Sequence, residues 1–179
     1  IRRLVREEGV RYREIAVIAR NEEDYSGILE SAFGRYETPC FLDRRVPVVY
    51  QPLMRYMLSA FAAVRQNFET GHILACLKTG LAGLSLDDIS MVENYVLVWD
   101  INHGRWHKEW SSNPDGATDR FGPAQHERLG RINLLRRKII EPLERFSQTV
   151  KSSHKPRDLA GAAYALLEEV QAGQALRQL

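Results

Sequence analysis

The sequence predicts an α/β segment followed by an α segment: a partial parallel sheet with flanking helices, then a mainly helical subdomain. Ile15 to Ala19 form an unbroken apolar run that stops at Arg20, the pattern of a strand buried on both faces. A helical pattern and a second short extended stretch, Thr38 to Asp43, follow it. A strand–helix–strand unit of this length implies parallel pairing. From Tyr50 onward the apolar residues recur at spacings of three and four, the period of helices.

In chain order, Ile1 to Glu8 puts Ile1, Leu4 and Val5 on one helical face and Arg2, Arg3 and Arg6 on the other, with Gly9 as the stop. The first strand covers 14–19. A helix from about Glu22 to Arg35 is expected to bury Tyr25, Ile28, Leu29, Ala32 and Phe33, with Asn21 as its N-cap. Two strands cannot make a stable parallel sheet alone, so the rest of the sheet is expected outside this chain or on a neighbouring molecule.

Pro52 then fits a first helical turn, and Leu53, Met57, Ala60, Phe61 and Val64 share a face. His72 to Lys78 is a short helix stopped by Gly80. Ser85-Leu-Asp-Asp88 has the form of a capping box leading into Ile89, Val92, Tyr95, Val96 and Trp99. Residues 100–123 are rich in Asn, Gly, Pro, Asp and Ser and read as a long surface excursion. A long helix from about Gln125 to Ser152 carries the stripe Leu129, Ile132, Leu135, Ile139, Leu143, Phe146 and Val150, with Pro142 inside it as an expected kink. Lys155-Pro156 opens a last helix with Leu159, Ala163, Leu166, Leu167 and Val170 inward.

The chain of 179 residues is 44% apolar and 27% charged, an ordinary globular balance. A net charge of +2 does not by itself mark a nucleic-acid binder, but two basic clusters stand out. Arg2, Arg3, Arg6, Arg11, Arg13 and Arg20 crowd one end; Arg128, Arg131, Arg136, Arg137 and Lys138 form the second. Cys40 and Cys76 lack metal-ligand spacing and read as reduced core residues of a cytoplasmic protein. No apolar run approaches the ~18 residues of a membrane span, so no membrane partner is expected. The start at Ile1 within an amphipathic segment suggests a piece of a longer polypeptide.

Three places carry candidate chemistry. Arg20 ends the first strand, where ligands sit in open α/β sheets; it either pairs with a carboxylate such as Asp24 or faces a phosphate. Asn102 to Trp110 interleaves Trp106 and Trp110 with Arg105, His107 and Lys108. Such a segment can stack and neutralise single-stranded nucleic acid, or its tryptophans can pin a long loop to the core. Arg44 and Arg45 either track a nucleic-acid backbone or solvate the turn before Pro47. His103 and His107 share a helical spacing, but Gly104 and the lack of a third ligand nearby argue against a metal. No GxxxxGK[ST] loop occurs, so a nucleotide met by Arg20 would have to be held elsewhere.

Several of these stretches resemble a known family. Arg13-Glu-Ile-Ala-Val-Ile-Ala-Arg-Asn21 is similar to motif IV of superfamily 1 helicases of the UvrD, PcrA and RecB type, and Pro39-Cys-Phe-Leu-Asp-Arg-Arg-Val-Pro47 and Gln51-Pro-Leu-Met-Arg-Tyr-Met-Leu58 continue in that family's order. More specifically, Cys76-Leu-Lys-Thr-Gly-Leu81, Leu84-Ser85, Glu93-Asn-Tyr-Val-Leu97, Gly104-Arg-Trp106 with Trp110, and Leu134-Leu-Arg-Arg-Lys-Ile-Ile-Glu-Pro-Leu143 resemble AddB, the B subunit of the AddAB helicase–nuclease. The resemblance covers essentially the whole chain. It implies a partial second RecA-like (2A) domain over residues 1–66 and a helical 2B-like insertion over 67–179. It also implies a complex that processes double-strand DNA ends for recombinational repair, with DNA, an AddA-type subunit and the remaining domains of the parent chain as partners. The motif IV arginine corresponds to Arg20; the aromatic residue that precedes it in the family is Ala19 here. Arg44, Arg45, Arg105, Trp106 and Lys108 become DNA-contact candidates, and no catalytic or metal-binding residue is expected. ATP with Mg and an iron–sulphur cluster are implied for the parent complex, with no cofactor in this piece. Other readings are a piece of an active UvrD-like motor and a helical protein-interaction module.

Overall fold

A computed structural model describes residues 1–21, 24–43, 47–119 and 121–177. The chain divides into two compact units, Ile1–Pro47 and Val48–Leu179. The break falls after the expected turn at Pro47, so the helix opened by Pro52 belongs with the helices that follow it.

The first unit holds α1 (Arg2–Glu7), a 3-10 turn (Tyr12–Glu14) and α2 (Ser26–Arg35). The expected parallel sheet is not there: among the described residues no strand is present, and the fold is helical. Ile15 does leave the 3-10 turn with extended backbone (φ −107°, ψ 121°), but 15–19 and 38–43 do not pair into a ladder. Extended chain becomes a strand only when a neighbour satisfies its backbone groups, and that neighbour is not legible in a local apolar run. The covering layers are missing as well. α1 has no buried residue, and α2 offers only the partly buried Leu29, Ala32 and Phe33. Val17, Ile18 and Phe41 accordingly remain exposed, and Thr38 is the one buried side chain among the described residues of this unit. Tyr25 rather than Asn21 occupies the N-cap of α2, and the Asn21 amide donates to the Asp24 carboxylate. Cys40, expected in the core, is exposed.

The second unit is built from α3 (Pro52–Arg65), α4 (Thr70–Leu77), α5 (Leu86–Val98), α6 (Pro123–Ser152), α7 (Pro156–Glu169) and α8 (Ala172–Ala175). Short 3-10 turns lie at Val48–Tyr50 and His103–His107. Proline starts α3, α6 and α7, where its missing N–H costs nothing and its fixed φ suits the first turn. The Ser85 hydroxyl accepts from Asp88 N–H at 3.2 Å and so caps α5. α3 and α5 close without glycine: Phe68 N–H reaches Ala63 C=O at 2.7 Å, and Ile101 N–H reaches Val96 C=O at 2.9 Å. Both are Schellman closures that drive Asn67 (φ 51°), Phe68 (φ 60°) and Asp100 (φ 47°) into the left-handed region.

α6 is the spine of this unit. Its 30 residues span about 45 Å at the helical rise, and its stripe Leu129, Ile132, Ile139, Ile140, Leu143 and Phe146 is buried. Around it pack Ala60 and Ala63 of α3, Ile73 and Leu77 of α4, Val92 and Val96 of α5, and Leu166 of α7, all in one continuous core. Ion pairs fasten its outer edge: Arg131 to Asp88 at 2.7 Å, Arg128 to Asp115 at 3.0 Å, and Arg145 to Glu169. No helix among the described residues is long and apolar enough to cross a membrane.

Candidate functional site

The stretch between α5 and α6 carries the most chemistry, and it is anchored from below. Trp106 has no exposed surface. Its indole N–H donates to the Thr70 hydroxyl at 2.8 Å, and that hydroxyl donates to Ile101 C=O. Trp110 packs edge-on to Trp106 with centroids 5.2 Å apart and stacks on Tyr95 at 5.0 Å. Beneath them Asn133 of α6 pairs with both backbone groups of Trp110: its carbonyl accepts from the N–H at 2.9 Å and its amide donates to the C=O at 2.8 Å.

Arg136 completes this floor. It is buried, donates to Trp106 C=O at 2.7 Å and to Asn133 at 3.3 Å, and sets its guanidinium carbon 6.0 Å from the Trp110 ring centroid. Burial, followed by the charge of neighbouring Arg137, lowers its pKa from the ordinary value. A buried arginine held by carbonyls and an aromatic face is a structural device, and its charge is not offered to solvent.

The sequence candidates therefore separate. Trp106 sits in the core with its N–H used, so its ring is closed to a base. Arg105 and Lys108 flank it on the exposed rim. The Arg105 guanidinium donates to Asp100 C=O at 2.8 Å, while Lys108 makes no side-chain bond among the described residues. Arg20, in the other unit, is exposed and has no partner among the described residues; its expected partner Asp24 is bonded to Asn21. Arg44 and Arg45 lie outside the described residues. The second basic cluster is largely spoken for: Arg128 and Arg131 are in ion pairs, Arg136 is buried and Lys138 donates to Gly83 C=O at 2.9 Å.

His107 contacts the Glu144 carboxylate through Nδ1 and meets Phe68 edge-on at 4.6 Å, and His103 Nδ1 bonds Asn67 C=O at 3.1 Å. Each imidazole thus has a separate protein partner, and no group of three metal-ligating side chains exists among the described residues. The donor set does not fit an iron–sulphur cluster, which takes about four thiolates. The chain has two cysteines, one exposed and one, Cys76, whose thiol burial pushes up to about 12. Arg20 has no phosphate loop beside it in this sequence.

A hollow of about 410 Å³ lies between the Val48–Tyr50 turn, α3 and α4, where no sequence motif marks a site. In retrospect Gly71 and Ala75, one helical turn apart, mark where α4 is too thin to fill it.

An edge-to-edge similarity to one class of protein accompanies this geometry: the chain matches B subunits of ATP-dependent helicase/deoxyribonucleases. The protein of that name from Acetivibrio thermocellus is 34% identical over 168 residues, 92% of this chain and 15% of the relative. Those from Thermoanaerobacter sp. and Natranaerobius thermophilus are 32% and 34% identical over 99% and 89% of the chain. The AddB-type resemblance is thus met by relatives that carry that subunit's name. By that name they are parts of an assembly, and the chain spans about 14–16% of the length of the relatives it matches. No family profile matches the chain.

Proposed function

We propose that this chain is a non-catalytic segment of a B-type subunit of an ATP-dependent helicase/deoxyribonuclease, contributing DNA-contact and inter-subunit surface to the processing of DNA ends. The observation that carries the reading is similarity that runs almost end to end, at 32–34% identity, with proteins all bearing that name. The chain's own chemistry is consistent with contact rather than catalysis. Arg20 and Lys108 are among its exposed cations without a partner among the described residues and are suited to phosphate, and Asn133 and Arg136 are committed to holding the fold. In this reading Arg20 is one side of a nucleotide site whose phosphate loop belongs to other residues of such a subunit. Arg105 and Lys108 touch the DNA backbone, and an AddA-type subunit is the protein partner.

Binding of a labelled single-stranded oligonucleotide to the chain, followed across salt concentration, tests this. The expected result is affinity that falls steeply with salt, and Lys108→Gln lowers the log–log slope by about 0.7, the loss of one phosphate contact on a single strand. Absence of binding at low salt, or a flat salt response, overturns the DNA-contact role.

A further inference from the structure

The hollow beside α4 combines three features that nothing else in the fold accounts for. Gly71 lines it, and a Cβ added there would meet no atom within 4 Å. Tyr50 also lines it, 74% exposed although aromatic. Its walls carry two cations, Arg55 from the first turns of α3 and Lys78 from the C-cap of α4. Lys78 is already bonded to Glu93 at 2.5 Å, whereas Arg55 is exposed and has no partner among the described residues. Arg55, Lys78 and Glu93 therefore leave one uncompensated positive charge beside a free aromatic face.

We propose that this hollow holds one nucleotide of a single DNA strand. The Tyr50 ring stacks on the base, and Arg55, assisted by Lys78, meets the adjoining phosphodiester. The charge is what favours a strand over a free nucleotide: one net positive charge matches the single negative charge of a phosphodiester, whereas a triphosphate would bring several. The volume agrees, since it lies near the lower end of the ~300–1,000 Å³ of small-molecule clefts, room for one residue and not for a run. Stacking on an aromatic ring is indifferent to which base arrives, so this contact grips a strand without reading it. Arginine suits the phosphate because its planar fork can donate two bonds to one anion.

The inference rests on the DNA-contact reading above, and the test separates the two. Gly71→Met adds a long side chain to the lining; it introduces no positive-φ strain, and methionine is the better helix former, so the helix content and melting temperature of the chain are expected to hold or rise. In fluorescence anisotropy with an oligothymidylate, Gly71→Met and Tyr50→Ala each weaken binding about tenfold, the loss of one base stack, while Tyr50→Phe keeps wild-type affinity. Arg55→Gln lowers the salt slope by about 0.7. An oligonucleotide carrying 5-iodouracil crosslinks to Tyr50, located by mass spectrometry. Wild-type affinity in both Gly71→Met and Tyr50→Ala, with crosslinks elsewhere, overturns this site and leaves the broader reading standing. Displacement of the strand from this site by equimolar ATP overturns it in favour of a free-nucleotide pocket. A wild-type chain that binds no single strand overturns both.

Discussion

Ile15–Ala19 and His103–Trp110 show opposite outcomes of one rule. The first is the most apolar short run in its unit, yet Ile18 keeps 93% of its surface exposed. The second is studded with His, Gly, Arg, Lys and Glu, yet Trp106 keeps none. Burial follows from what stands opposite a segment more than from its own hydropathy. His103–Trp110 lies against α6, which supplies Asn133 and Arg136 to satisfy the backbone and an apolar stripe to receive the rings. Ile15–Ala19 has α1 and α2 in its own unit, and neither buries an apolar side chain among the described residues.

The strongest way to break this comparison is Trp106→Ala. If the ring is a core member of its unit, its truncation costs about 3–5 kcal/mol, as for other buried aromatics. Removing the indole N–H also leaves the Thr70 hydroxyl without its donor. Urea unfolding followed by circular dichroism should show the midpoint of the helical unit displaced strongly downward. A change below about 1 kcal/mol, the size of an ordinary surface effect, would mean that the loop is only draped over α6.

How much of this was legible in the sequence differs between the two units. The helices α3 to α7 could be read because each is specified locally: Pro52, Pro156 and the Ser85 box mark starts, and apolar residues at three and four mark faces. The sheet was misread because a strand is defined by a partner that local sequence does not contain. The loop was read as surface from its Asn, Gly and Pro content, although the alternative of pinning tryptophans was also open. By charge alone Arg136 belongs to one basic cluster with Arg137 and Lys138. Its spacing of four from Ile132 and three from Ile139 put it on the buried stripe of α6, and that signal was available. The Tyr50–Arg55–Lys78 hollow was not legible, since it forms only when α3 and α4 pack.

A sharper, smaller test concerns the helix that roofs the loop. The Ser85 hydroxyl, and after it Arg131, hold the Asp88 carboxyl below the usual carboxylate range. A carboxyl lowered in the folded state contributes stability above its unfolded pKa of about 3.9, and that contribution is lost as pH falls through the lower folded value. Ser85→Ala should therefore cost about 1 kcal/mol near neutrality, as cap removal does. As pH falls through the lower folded value, the part of this cost that comes from the Ser85–Asp88 carboxylate bond is lost and the deficit shrinks, while the part from the Asp88 N–H cap remains. Thermal melts at pH 7 and pH 3 check this; an equal deficit at both would assign the loss to the neutral cap alone.

The smallest expected effect falls on the other side of the comparison. Ile18 is an isoleucine at the centre of an apolar run, and composition alone would make Ile18→Ser a costly change. Its 93% exposure says otherwise: no apolar surface is withdrawn from water there, so there is little for serine to lose. The expected shift in stability is within about 0.5 kcal/mol, the range of ordinary surface positions. Solubility should rise, since Val17, Ile18 and Phe41 are large apolar side chains left facing solvent in one unit. Equilibrium unfolding and light scattering of the variant measure both. A loss above about 1 kcal/mol would require a covering layer over 15–19 in solution, and the difference between the two regions would then lie in what covers each, no longer in whether it is covered.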